Sequence, residues 1–149
     1  MDRRGILLEL RNEGKLKGKK PCFVSLRNNI GKIYNGGGGT FIMTIRDDTL
    51  HFQKLSFFLH RLMPGDDFSV NAKRFIEYKI DRKTVLALLS FYDRDGRFLP
   101  IIFQTGTKET YASEDNIARI IKELEERNGL KEVGIDGKEE PDTKGEKSN

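Results

Sequence analysis

The sequence predicts a mainly β domain of the α+β class, in which a run of strands is followed by one closing helix. Three observations predict it. From "PCFVSLR" onward, apolar residues recur with period two in several short runs. Those runs are separated by the turn-forming stretches "DD", "PGDD" and "DRDG". A single long amphipathic stripe, Ile117, Ile120, Ile121 and Leu124, stands near the C-terminal end at i, i+3, i+4 and i+7. At 149 residues the chain is long enough for one well-filled core and short for two.

Residues 4–13 read as a short helix with Ile6, Leu7 and Leu10 on one side, and "GKLKGKK" reads as a flexible basic joint. Residues 1–20 hold Arg3, Arg4, Arg11, Lys15, Lys17, Lys19 and Lys20 against Asp2, Glu9 and Glu13. Much of the formal net charge of +4 is therefore expected on an N-terminal arm outside the domain. The domain is expected over 21–129. In "PCFVSLR", Cys22, Val24 and Leu26 share one face, with Phe23, Ser25 and Arg27 opposite. In "TFIMTIR", Phe41, Met43 and Ile45 face one way, against Thr40, Ile42, Thr44 and Arg46. The Asp47-Asp48 turn leads into "TLHFQKL", with Leu50 and Phe52 inward and His51 and Gln53 outward, which completes a hairpin.

Four glycines, Gly36 to Gly39, precede the second of these runs. A phosphate cradle leads into a helix N-terminus, whereas these glycines lead into a strand with no Lys-Ser or Lys-Thr after them. They are expected to form a mobile hairpin loop.

The segment "SFFLHRLM" fits either a short helix or a strand: Leu55, Phe58, Leu59 and Leu62 keep helical spacing, yet the aromatic content suits a strand. "FSVNAKRFIEYKI" reads as one or two strands with Ile76, Tyr78 and Ile80 inward. "VLALLSFY" and "RFLPIIF" flank Asp93-Arg94-Asp95-Gly96 as a hairpin, and Pro100 places its strand at an edge or a bulge. Ser113 suits a helix N-cap, Glu114 and Asp115 suit the positive end of the dipole, and Gly129 suits the stop. Residues 130–149 are polar and acidic enough to be expected as a disordered tail.

The run "GGTFIMTIRDDTLHFQ" resembles the opening hairpin of bacterial pleckstrin-homology-like and GRAM-type domains, through Gly39, Thr44, Leu50 and Phe52. "FSVNAKRFIEYKI", "VLALLSFYDRDGRFLPIIF" and "SEDNIARIIKELEER" follow in the order such domains use, so the resemblance covers about 38–128. It implies a strongly bent antiparallel sheet, or partly open barrel, of about seven strands with the C-terminal helix over one open end. It also implies binding of lipids or proteins rather than catalysis. Phosphoinositide-binding members carry a Lys and a basic-x-Arg motif around their first loop. Here Lys32 and Arg46 are the candidates, but Thr44 stands where a base is expected, and Asp47 and Asp48 would repel a phosphate.

Other chemistry has little support. His51 and His60 stand nine residues apart, short of the three or four ligands of a closed metal site. "DRDG" opens like a calcium loop but lacks the later ligands. Neighbouring aspartates on a strand point to opposite faces and cannot converge as acid and base. Cys22 lies on an apolar face without a nearby histidine, and as a lone cysteine it excludes an internal disulfide. No catalytic residue, cofactor or metal is expected. No apolar run approaches the ~20 residues of a membrane helix, the N-terminus fails as a secretory signal, and a cytoplasmic setting is expected.

The expected function is a non-enzymatic module that binds a protein or peptide. Its expected contact surface lies in "LSFFLHRLMPGDD", where Phe57 and Met63 fall off the helical stripe and His60, Arg61, Asp66 and Asp67 would rim them. The alternative for this segment is that its large apolar side chains are all core. The alternative function is a peripheral membrane binder, with Lys15, Lys17, Lys19 and Lys20 meeting anionic lipids. Nucleic acid is disfavoured, because the aromatics are committed to the core.

Overall fold

The computed structural model describes residues 3–27, 38–56, 61–106 and 113–133. Helix α1 spans Arg3–Asn12. Strands β1 (Lys19–Leu26), β2 (Gly39–Arg46) and β3 (Thr49–Lys54) follow. A 3₁₀ turn at Pro64–Asp66 leads into β4 (Phe68–Asn71), and a second at Ala72–Arg74 leads into β5 (Phe75–Arg82). Then come β6 (Leu86–Asp93), β7 (Phe98–Gln104), helix α2 (Ser113–Asn128) and a two-residue strand β8 (Lys131–Glu132).

The strands form one bent sheet in the order β4-β3-β2-β1-β7-β6-β5-β8, with every pairing antiparallel except β5 with β8. The sheet and its closing helix are the pleckstrin-homology-like α+β plan. The main core lies on the inner face. Phe41, Met43, Ile45, Leu50, Phe52, Phe91, Leu99 and Ile101 are buried there, and the α2 stripe Ile117, Ile120, Ile121 and Leu124 covers them. Phe52 stacks on Phe68 at 4.7 Å and Phe41 meets Phe68 edge-on at 5.6 Å, so β2, β3 and β4 share one aromatic centre.

A second core lies on the opposite face and changes the role of the N-terminus. Ile6, Leu7 and Leu10 of α1 are buried against Phe23, Ile42 and Leu55. Residues 1–20 were expected as an arm outside the domain; from residue 3 onward they are part of it. Burying each of these α1 side chains contributes about 1.5–3 kcal/mol, enough to dock a ten-residue helix that would not persist alone. The basic joint is held as well. Gln53, expected to face outward, is buried: its Nε2 donates to the Lys15 carbonyl and its Oε1 accepts from the Lys17 N–H, both at 2.9 Å. At Gly18 a Cβ would lie 2.6 Å from the Ile45 carbonyl oxygen, so the joint passes β2 at a distance that no side chain permits.

Three further expectations need correction. Ile76 points outward, because a bulge between Phe75 and Glu77 breaks the alternation and leaves Phe75, Tyr78 and Ile80 facing the core. Pro100 is not at a sheet edge: β7 lies between β6 and β1. The proline is tolerated because the β1–β7 ladder consists of the single pair Ser25 and Ile102. The tail does not begin at 130: Leu130 is buried, Lys131 and Glu132 pair with Glu77 and Tyr78, and the Val133 N–H bonds the Tyr78 carbonyl. Thr44, on the face opposite Phe41 and Met43, is also fully buried.

Candidate functional site

The feature best suited to holding a partner is a groove of about 510 Å³ between α1 and the segment leading into β4. Its construction starts from sequence. The apolar residues of α1 dock the helix on β1 and β2, which turns Ile6 and Leu10 toward one wall and leaves Glu9 and Glu13 in solvent. After β3 the chain doubles back. Leu55 pairs with Leu62 across an antiparallel bridge, the Ser56 N–H bonds the Arg61 carbonyl at 2.7 Å, and the Met63 N–H bonds the Lys54 carbonyl at 2.8 Å. The helix-or-strand ambiguity of this segment resolves at its ends as strand-like pairing. Pro64 then starts the 3₁₀ turn, and the Asp67 carboxylate caps the Lys54 N–H at 3.0 Å. Leu62 and Pro64 thereby face Ile6 and Leu10 across the groove.

Charge surrounds this apolar lining. Lys15 pairs with Glu13 at 3.1 Å, and Lys17 with Asp67 at 3.4 Å. Among the described residues, Glu9 on the helix side and Arg61 on the loop side are groove residues without an ion pair. The hydrogen-bonding groups deepest in the groove, Gln53 and Asp67, are engaged with backbone. The arrangement therefore offers an apolar slot flanked by one free acid and one free base. Its volume falls in the range of ordinary binding pockets, about 300–1,000 Å³.

The residues singled out from sequence are distributed as follows. Arg61 lines the groove, and Met63, outside its lining, is 41% exposed, so the large apolar side chains of this segment are not all core. Phe57 and His60 lie outside the described residues, as do Phe58, Leu59, Lys32, Gly36 and Gly37. The four lysines offered to a membrane are divided between two clefts. Lys15 and Lys17 belong to the groove, whereas Lys19 and Lys20 line a different cleft with Arg46. His51 hydrogen-bonds Ser69 at 2.8 Å, and burial, with lesser repulsion from Lys17 and Arg46, holds its pKa below the ordinary value. Cys22 is fully buried, and burial pushes its thiol pKa up.

Sequence reasoning named the segment that holds Leu62 and Pro64 but missed Ile6, Glu9 and Leu10 of α1 as the facing wall of the same site. The available signal was Phe23 and Ile42, apolar residues on the strand faces opposite Val24 and Met43. Strands that are apolar on both faces are buried on both faces.

The sheet order and the closing helix are consistent with a pleckstrin-homology-like α+β fold. No family model and no curated protein sequence matches the chain. Among solved structures it is similar to the hSac2 domain from human phosphoinositide phosphatase Sac2. The identity is 8% and the TM-score 0.49, over 100% of this chain and 96% of that one.

Proposed function

We propose that the chain is a non-enzymatic, GRAM-type interaction module of the cytoplasm that seats a peptide segment of a protein partner in the groove beside α1. The observation that carries this reading is the pairing of an apolar slot, Ile6, Leu10, Leu62 and Pro64, with Glu9 and Arg61, neither in an ion pair among the described residues, on its two sides. Such a groove fits a segment that presents one large apolar side chain between a basic and an acidic residue. Binding suits it better than reaction, because Gln53 and Asp67 are engaged in holding the walls together. The anionic-membrane alternative has less support, since Lys15, Lys17 and Lys20 each already hold a carboxylate. The test is selection of displayed peptides on the full chain, followed by counter-selection on Arg61→Glu and Leu62→Asp. Enriched peptides should carry the charge-flanked apolar residue and lose binding to both folded variants. Equal enrichment on the variants would overturn the proposal.

A further inference from the structure

The sheet ends at β4, and among the described residues no strand pairs with the side of β4 that faces away from β3. Which backbone groups face that open side follows from the hydrogen bonds around β3. The Leu55 N–H bonds the Thr40 carbonyl, on the β2 side. The Lys54 N–H and carbonyl point the other way, to the Asp67 carboxylate and the Met63 N–H. Even-numbered residues along β3 therefore address β4, and the Ala72 N–H on the Asp48 carbonyl at 2.6 Å agrees. In the register Leu50 with Val70 and Phe52 with Phe68, the backbone groups of Phe68 and Val70 are committed to β3. Those of Ser69 and Asn71 turn outward, to the open edge.

Open edges are commonly guarded by charge, proline or a bulge within the strand. The strand Phe68–Asn71 has none of these, and Ser69 and Asn71 are exposed. Charge stands at its two ends instead. The 3₁₀ turn before it closes on the exposed Asp66, and the turn after it carries the exposed Lys73 and Arg74. The edge is acidic at one end and basic at the other, so it is complementary to itself when reversed. We infer that β4 pairs antiparallel with β4 of a second copy of this chain, about a two-fold axis at Val70. In that register Ser69 of each copy exchanges both backbone hydrogen bonds with Asn71 of the other. Asp66 of each copy comes alongside Arg74 of the other, whereas a parallel pairing would set like charges side by side. Asp67 is already engaged with Lys17 and the Lys54 N–H, so Asp66 is the acid that this contact uses. A four-residue edge makes a small interface, so the association is weak and concentration-dependent.

This pairing does not rest on the peptide-groove reading. Sedimentation equilibrium of the full chain, carried to millimolar concentration, should show a reversible monomer–dimer equilibrium that weakens with salt. Amide exchange at Ser69 and Asn71 should slow as the dimer forms. Asn71 has a φ of −76°, within the range of proline, so Asn71→Pro removes one outward N–H without strain while Asn71→Ala keeps it. Asn71→Pro should raise the dissociation constant at least tenfold, and Asn71→Ala should leave it within twofold. Asp66→Lys and Arg74→Glu should each weaken the dimer, and the double variant should restore it, because the exchanged charges meet again. A chain that stays monomeric throughout would overturn the inference, as would a dimer that Asn71→Pro leaves unchanged. Protection of the Ser69 and Asn71 amides only on adding a selected peptide to a monomeric chain would also overturn it, and would assign the edge to an unrelated strand.

Discussion

The backbone N–H of Phe23 in β1 donates to the hydroxyl of Ser113 at the start of α2, at 3.0 Å and in a fully buried setting. Three residues further along the helix, the Asn116 amide donates to the Pro21 carbonyl at 2.9 Å. Together these bonds fasten the closing helix to the first strand. Replacing Ser113 with Ala leaves the Phe23 N–H without a partner and should cost about 1–3 kcal/mol. Urea denaturation checks this; a loss no larger than that of an exposed α2 substitution would contradict it.

The apolar stripe of α2 makes a second prediction. Ile121 is buried beneath the helix and Lys122 is exposed. Ile121→Ala should destabilise by about 2–5 kcal/mol, while Lys122→Ala should change little. Equal shifts in the two denaturation midpoints would place the helix face wrongly.

The chain after α2 is expected to matter only as far as Val133. Gly129 adopts a left-handed φ of +72° and donates its N–H to the Glu125 carbonyl, which ends the helix and delivers Leu130 into the core. Leu130→Ala should cost about 2–5 kcal/mol. Removing residues 134–149, whose sequence is polar, should leave the melting temperature within a few degrees. A large loss from the truncation, or none from Leu130→Ala, would reverse this assignment.

His51 gives the pH dependence a defined sign. Its pKa is lowered in the folded chain from an ordinary 6.5, by burial first and then by Lys17 and Arg46. The unfolded chain therefore binds more protons just below that value, and stability rises with pH through this window and falls as pH drops below it. Between pH of about 7 and about 5.5 the wild-type chain should lose more stability than His51→Gln. Parallel losses in the two proteins would remove His51 as the cause.

Much of the inner core was legible because period-two patterning and helical spacing report one buried face. Leu50, Phe52, Ile117 and Ile120 all lie where alternation or the i, i+3, i+4 stripe placed them. The outer core was less so. Ile6, Leu7 and Leu10 gave a helix, but nothing local shows that a ten-residue amphipathic helix docks on Phe23 and Ile42 rather than remaining in solvent. Bulges were invisible for a related reason: a single inserted residue at Phe75 or Lys20 reverses the facing of its neighbours without changing composition. The groove inherits both difficulties, since its walls come from the docked helix and from a chain reversal at Leu55 and Leu62.

The central claim is that the groove beside α1 receives a peptide. The most direct measurement is amide chemical-shift mapping of the full chain with a peptide obtained by the selection above. Shifts should concentrate at Ile6, Glu9, Leu10, Arg61 and Leu62, and Arg61→Glu should abolish them while the remaining spectrum stays folded. Shifts confined to other surfaces, such as the exposed Leu86 and Phe98 of the β6–β7 face, would contradict the claim, as would unchanged binding by Arg61→Glu.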